Sequence, residues 1–170
     1  MKPIVSIIMG STSDMPVMEQ AAKFLDEMEV PFEINALSAH RTPKKVEKFA
    51  AEAAERGIKI IIAGAGLAAH LPGVIAASTT LPVIGIPIKA TNSPEGLDAV
   101  FSIIQMPPGI PVATVGINAA KNAAIIAVQI LALSNNDLNE RFINYKKSLS
   151  EKIIKANKEL SEIKFKFKTN

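Results

Sequence analysis

Four short, almost uninterrupted apolar runs and one alternating run punctuate the chain: IVSIIM (4–9), IKIIIAGAG (58–66), LPVIGIPI (81–88) and PVATVGI (111–117), with FEINALSA (32–39) alternating. Between them lie segments with helical spacing. DMPVMEQAAKFLDEMEV (14–30) sets Val17, Met18, Ala21, Phe24, Leu25 and Met28 along one stripe. TPKKVEKFAAEAAERG (42–57) carries a threonine cap candidate, a proline at the first helical position and a closing glycine. Helices are also predicted over 69–79, 94–106 and 119–133. Strands that alternate with helices pair in parallel through right-handed crossovers. Runs apolar on both faces belong to a sheet covered on both sides, whereas FEINALSA alternates as a half-buried strand does. The pattern predicts a flavodoxin-like three-layer α/β/α sandwich with a five-stranded parallel sheet.

A chain of 170 residues fits a single domain, with an α/β core over 1–133 and a helical extension over 134–170. In the extension, Leu138, Phe142, Tyr145, Leu149, Ile153, Ala156, Leu160 and Ile163 recur every three or four residues. Such a stripe packs on its own domain or on a neighbouring subunit. The helix over 119–133 is apolar nearly all round, which predicts burial on every side and hints at an oligomer. Residues 1–138 hold 10 Lys+Arg against 12 Asp+Glu, and residues 139–170 hold 9 against 4, so the net charge of +3 comes from the tail. Aromatics are 5% and no nucleic-acid reader motif occurs, which argues against a nucleic-acid partner. No window reaches the roughly 18 apolar residues of a membrane span, and the N-terminal run reads as a strand rather than a leader. No membrane partner is expected. The chain has no cysteine, so disulfides, thiolate metal sites and thiol nucleophiles are excluded, a composition compatible with the cytoplasm.

In doubly wound sheets ligands bind beyond the carboxyl ends of the strands, near the switch point of strand order. That rule brings Ser11–Asp14, Ser38–Arg41 and Ala63–Gly66 to one rim, within the three stretches GSTSD (10–14), SAHRTP (38–43) and AGAGLAAHLPG (63–73). In the first, small hydroxyl residues precede a helix and can hold a phosphate or carboxylate on backbone N–H groups. Equally, Ser13 or Asp14 can simply cap the helix. In the second, Arg41 can grip a phosphate with two N–H groups, and a histidine such as His40 either moves protons or serves the fold. In the third, Gly64 and Gly66 let a flat ligand approach the backbone, and His70 is the second of only two histidines. Two histidines without cysteine suit zinc poorly, so no metal is expected. Neither a P-loop nor a GxSxG nucleophile motif occurs.

MGSTSD, SAHRTP, IIAGAGLAAHLPG, LPVIGIPI, GLDAVFSIIQMP and GIPVATVGI follow one another in this order. Over roughly residues 4–133 the chain closely resembles the class I N5-carboxyaminoimidazole ribonucleotide mutases of de novo purine synthesis. The resemblance implies an isomerase that moves a carboxylate from the exocyclic nitrogen to ring carbon C4 of an aminoimidazole ribonucleotide, with no cofactor. It implies a homo-octamer with active sites at subunit contacts. It carries Ser11, Ser13, Asp14, Ser38, Ala39, His40, Arg41, Ala65, Gly66, His70 and Leu71 into the site. His40 is then the proton shuttle, Arg41 and Ser13 the phosphate ligands, and Asp14 the ribose acceptor. Ser11 and the amides near Ala65 and Gly66 orient the travelling carboxylate, and His70 shapes its loop. Leu67 replaces a glycine usual in the family, at a cost of roughly 1–2 kcal/mol if the position needs a positive φ. Pro108 also departs from the family, with little consequence expected. Three alternatives stand beside this reading: a carboxylase of the same fold that uses free CO2, a non-enzymatic FMN-binding module, and a scaffold that uses only the tail. The AAHLPG stretch speaks against the first. Lack of aromatic cover, with no tryptophan and one tyrosine, speaks against the second.

Overall fold

A computed structural model describes all 170 residues, in two compact units, Met1–Ile130 and Leu131–Asn170. In the first, strands β1 (Val5–Met9), β2 (Phe32–Ala36), β3 (Ile60–Gly66), β4 (Val83–Ile88) and β5 (Ala113–Thr114) alternate with helices. These are α1 (Met15–Glu27), α2 (Pro43–Glu52), α3 (Leu71–Ala77), α4 (Leu97–Ile104) and α5 (Ala120–Ala132), the last running into the second unit. All neighbouring strands pair in parallel, in the order β2-β1-β3-β4-β5. The order reverses between β1 and β3, which fixes the switch point. Register keeps the carboxyl ends level, for Met9 lies beside both Ala36 and Gly64.

β1 and β4 are buried at every residue, and β3 at all but its last. Strand alternation sends Ile8, Ile61, Ala63 and Ala65 into one layer with Val46 and Ala50 of α2, Leu71 and Ile75 of α3, and Ala99 and Ile103 of α4. On the opposite face Met18 of α1 lies against Gly64; a Cβ there would stand 2.4 Å from its sulfur, so helix and sheet approach this closely only over glycine. Burying a Leu- or Ile-sized side chain contributes about 1.5–3 kcal/mol, so these layers carry the stability of the sandwich.

Two local expectations are corrected. β2 is an edge strand whose apolar Ile34 is 39% exposed, while polar Glu33 is engaged. The reason is the polar clamp behind it. The buried hydroxyl of Ser6 donates to Glu33 Oε1 (2.9 Å), and Arg56 donates to both carboxylate oxygens, each at 2.9 Å. β5 pairs over two residues rather than seven, because Pro111 brings no N–H to the ladder. Two more backbone bonds, Val115 N–H to the Gly85 carbonyl and Asn118 N–H to the Pro87 carbonyl, tie the following residues to β4. Within the single chain α5 buries Ala123, Ala124, Ala127 and Val128 and exposes Lys121, Asn122 and Gln129.

The second unit holds α6 (Asn136–Glu162), whose first turn is capped by Asn135 Oδ1 accepting from the Leu138 N–H at 3.0 Å. Its apolar stripe is covered at Leu138 and half-covered at Phe142 and Tyr145, but exposed from Leu149 onward. No helix is long and apolar enough to cross a membrane.

Candidate active site

β1 gives way after Gly10 to a single 3-10 turn, Thr12–Asp14, before α1 starts with Pro16 in its first turn. Ser11 caps that turn, its Oγ accepting from the Ser13 N–H at 3.3 Å. Asp14 occupies the N-cap of α1 without a side-chain cap bond, so the capping reading moves from Ser13 and Asp14 to Ser11. Burial raises the Asp14 carboxyl above its ordinary value, against the lowering effect of hydrogen bonds from Ser11 and Ser13.

The loop after β2 is folded on Ser38 and Thr42. Thr42 Oγ1 accepts from the Ser38 N–H and donates to the Ser38 carbonyl, both at 3.0 Å, which closes a tight turn over Ala39–Arg41. Thr42 thus spends its hydroxyl on the loop, and α2 starts at Pro43 without a side-chain cap. Ser38 Oγ accepts from the Arg41 backbone N–H at 3.2 Å and from its Nε at 3.4 Å. Arg41 Nη2 then reaches the Gly10 carbonyl at 3.2 Å, tying the second loop to the first. Arg41 forms no ion pair, so its charge is left for a ligand.

β3 ends in Gly66, whose missing side chain is required: a Cβ would sit 2.9 Å from the Ile88 carbonyl oxygen of β4. The next residue, Leu67, turns the chain with φ +55, so the position does need the left-handed conformation that leucine resists. A hydrogen bond from the His70 N–H to the Ala68 carbonyl (2.8 Å) then directs the chain into α3. His70 stands at the N-cap of that helix. Its Nδ1 lies 2.9 Å from His40 Nε2, with the rings edge-on at 85°. One ring nitrogen donates and the other accepts, which links the second loop to the third.

The three loops line one cavity of about 450 Å³. All eleven residues singled out in the sequence, Ser11, Ser13, Asp14, Ser38, Ala39, His40, Arg41, Ala65, Gly66, His70 and Leu71, stand on its wall. Gly10, Leu67, Ala68 and Ala90 complete the lining. Ala90 had not been anticipated as a wall residue. It follows β4, and the strand-end rule applied to a fourth strand would have found it. The walls thus combine an unpaired guanidinium, hydroxyls beside a helix start, one carboxyl group and a histidine pair, over an apolar floor at Ala65 and Leu71. No group of three or more His, Asp or Glu side chains is placed to hold a metal ion. The arrangement suits a phosphorylated, polyhydroxylated ligand whose reacting end meets a proton carrier.

Known proteins share this sequence and fold. The N5-carboxyaminoimidazole ribonucleotide mutase of Pyrococcus horikoshii is 54% identical over 162 residues, which span 95% of this chain and 91% of that protein. A phosphoribosylaminoimidazole carboxylase of Candida glabrata is 50% identical over 162 residues, 95% of this chain but only 28% of that longer protein. The crystal structure of Treponema denticola PurE superposes with a TM-score of 0.84 at 32% identity, covering 93% of this chain and 98% of that one. Residues 4–152 match the AIR carboxylase family, a match that takes in nearly the whole α/β sandwich and the greater part of α6, and this chain belongs to that family.

Proposed function

We propose that this protein is an N5-carboxyaminoimidazole ribonucleotide mutase, an isomerase of de novo purine synthesis that forms the C4-carboxylated aminoimidazole ribonucleotide. The observation that carries the reading is His40, set in contact with His70 at the switch point of the sheet, beside a cavity with an unpaired arginine. Similarity to the Pyrococcus horikoshii mutase over nearly the full length of both chains supports it.

The chemistry follows from the parts. A proton from His40 to the exocyclic nitrogen lets the N–C bond of the carbamate break, releasing CO2. The electron-rich C4 attacks that CO2, a new C–C bond forms, and the C4 proton returns to His40. One proton enters and one leaves, so no external acid, base or oxidant is consumed. Proton transfer by a positioned group contributes about 10²–10⁴-fold, and holding CO2 against C4 adds a proximity gain. Arg41 and Ser13 bind the 5′-phosphate, Asp14 accepts from ribose hydroxyls, and Ser11 with the amides around Ala65 and Gly66 orients the carboxylate. Ser38 fixes Arg41, Ala39 and Leu71 face the base, and His70 positions His40. The protein acts as a cytoplasmic homo-octamer. Residues 1–133 carry the chemistry, and the exposed stripe of the tail, 134–170, packs on a neighbouring subunit.

The test supplies N5-carboxyaminoimidazole ribonucleotide without ATP or added bicarbonate and follows the C4-carboxylated product by ultraviolet absorbance. Rapid product formation is expected. Product only from the unmodified ribonucleotide plus bicarbonate would make the protein a carboxylase instead, the activity in the name of the Candida glabrata relative.

A further inference from the structure

We infer that His70 decides which nitrogen of His40 works: His70 Nδ1 accepts the Nε2–H of His40, and His40 Nδ1 carries both proton transfers. The inference deepens the mutase reading and rests on it. His40 Nε2 and His70 Nδ1 stand 2.9 Å apart with the rings edge-on, so the contact is nitrogen to nitrogen and not face to face. No other protein group bonds either ring, which leaves His40 Nδ1 without a protein partner in a residue that lines the cavity. The core anchors the His70 end of the bond. Ala69 and Leu71, on either side of it, are 1% and 2% exposed, and the His70 N–H is bonded to the Ala68 carbonyl at 2.8 Å.

Proton counting sets the direction of the bond. The 2.9 Å gap holds one proton. A neutral imidazole carries its proton on one nitrogen and accepts at the other, whereas a charged one donates at both. If His70 Nδ1 held the shared proton, His40 Nε2 would have to stay bare. Charging His40 would then set two N–H groups against each other across the gap. Neutral His40 is no acid either, because loss of its one proton would leave an anion. With the shared proton on His40 Nε2 the conflict disappears. Charged His40 donates Nε2–H to His70 and offers Nδ1–H to the exocyclic nitrogen. That proton stays on the nitrogen as the N–C bond breaks and CO2 leaves, and Nδ1 keeps a lone pair. Once the C4–C bond has formed, the C4 proton passes to the same lone pair and its bonding electrons return to the substrate ring. His40 regains its charge, and the bond to His70 is unchanged throughout. No ring flip is needed between the two transfers. The nitrogen that works is set by the bond the other one makes. His70 therefore acts through His40, as a positioning residue.

The test reads the bond and its consequence separately. The chain has two histidines, so nitrogen-15 labelled histidine marks only these two rings for NMR. In the wild-type protein at alkaline pH, the shared proton is expected to couple directly to His40 Nε2. Direct coupling to His70 Nδ1 would overturn the inference. Turnover is then compared in two variants. His70→Asp places an acceptor that cannot donate where Nδ1 stands, and His70→Phe keeps only the bulk of the ring. His70→Phe is expected to lower kcat by about tenfold with KM changed less, the effect of one hydrogen bond. His70→Asp is expected to restore kcat to within about threefold of the wild-type value. Equal losses in the two variants would overturn the inference, and so would full kcat in His70→Phe. A wild-type protein that shows the expected coupling but forms no product would instead overturn the mutase reading, and the assignment of the transfers to Nδ1 with it.

Discussion

Two polar clusters in this molecule join segments far apart in sequence, and they are built to opposite plans. At the edge of the sheet, Ser6, Glu33 and Arg56 close on one another: the guanidinium makes two bonds to one carboxylate, and the buried hydroxyl donates to the same group. Arg56 also lies over the Phe49 ring, 4.9 Å from its centroid. Opposite charges are matched and the groups face each other. At the carboxyl rim, Arg41 is steadied by a hydroxyl and a carbonyl but has no anion, and His40 and His70 meet in the open. A cluster that satisfies itself fastens the fold. A cluster of similar residues that leaves its charge uncompensated does not, and that difference is what the proposed binding role of Arg41 rests on.

Breaking either cluster should therefore give opposite signatures. The largest expected effect is on turnover: His40→Asn should lower kcat by about 10²–10⁴-fold, measured in the mutase assay. Next is Arg41→Ala, which on the proposed reading removes hydrogen bonds from a cation to the substrate phosphate. Such bonds contribute about 1.5–3 kcal/mol, so KM should rise by roughly 10–100-fold with unfolding unchanged. His70→Phe should keep the ring's bulk but remove the 2.9 Å contact to His40, lowering kcat more than it raises KM and by less than His40→Asn does. Arg56→Ala should leave turnover intact and cost about 1–2 kcal/mol, since Glu33 and Ser6 keep each other and the site is partly exposed. In a chain of this size each kcal/mol lowers Tm by about 2–4 °C.

The smallest effect sharpens the same contrast through pH. Burial pushes the Glu33 carboxyl up, but hydrogen bonds from Arg56 and Ser6 and the charge of Arg56 together hold it below its ordinary value of 4.5. A carboxyl lowered in the folded state stabilises the fold fully above its unfolded value. That stability is lost as pH falls through the lower, folded value. Denaturant unfolding followed below pH 5 should show this decline, and Glu33→Gln should flatten it. A variant with the same acid slope as the wild-type protein would remove Glu33 from the account.

Much of this could be read from the residues. β1, β3 and β4 are apolar on both faces because helices cover both sides, and that signal survives in a single sequence. The strand-end rule gathers Ser11–Asp14, Ser38–Arg41 and Ala63–Gly66 without any knowledge of side-chain direction, and His70 and Leu71 join them through the family resemblance. What escaped depended on contact. The His40–His70 pair spans 30 positions and exists only because the chain reverses at Leu67, whose side chain gives no hint of a left-handed turn. Ala90 offers a methyl group and no chemistry to notice. Glu33 sits in an alternating strand where the pattern assigns it to solvent, and its partner Arg56 reads only as the end of a helix. Periodicity in α6 showed which residues share a face but not what covers them.

The most direct test of the contrast measures turnover and Tm together on His40→Asn and Arg56→Ala, beside the wild-type protein. The account predicts that His40→Asn loses turnover at unchanged Tm, while Arg56→Ala keeps turnover and melts earlier. A His40→Asn protein that still converts the carbamate to product at the wild-type rate would contradict it.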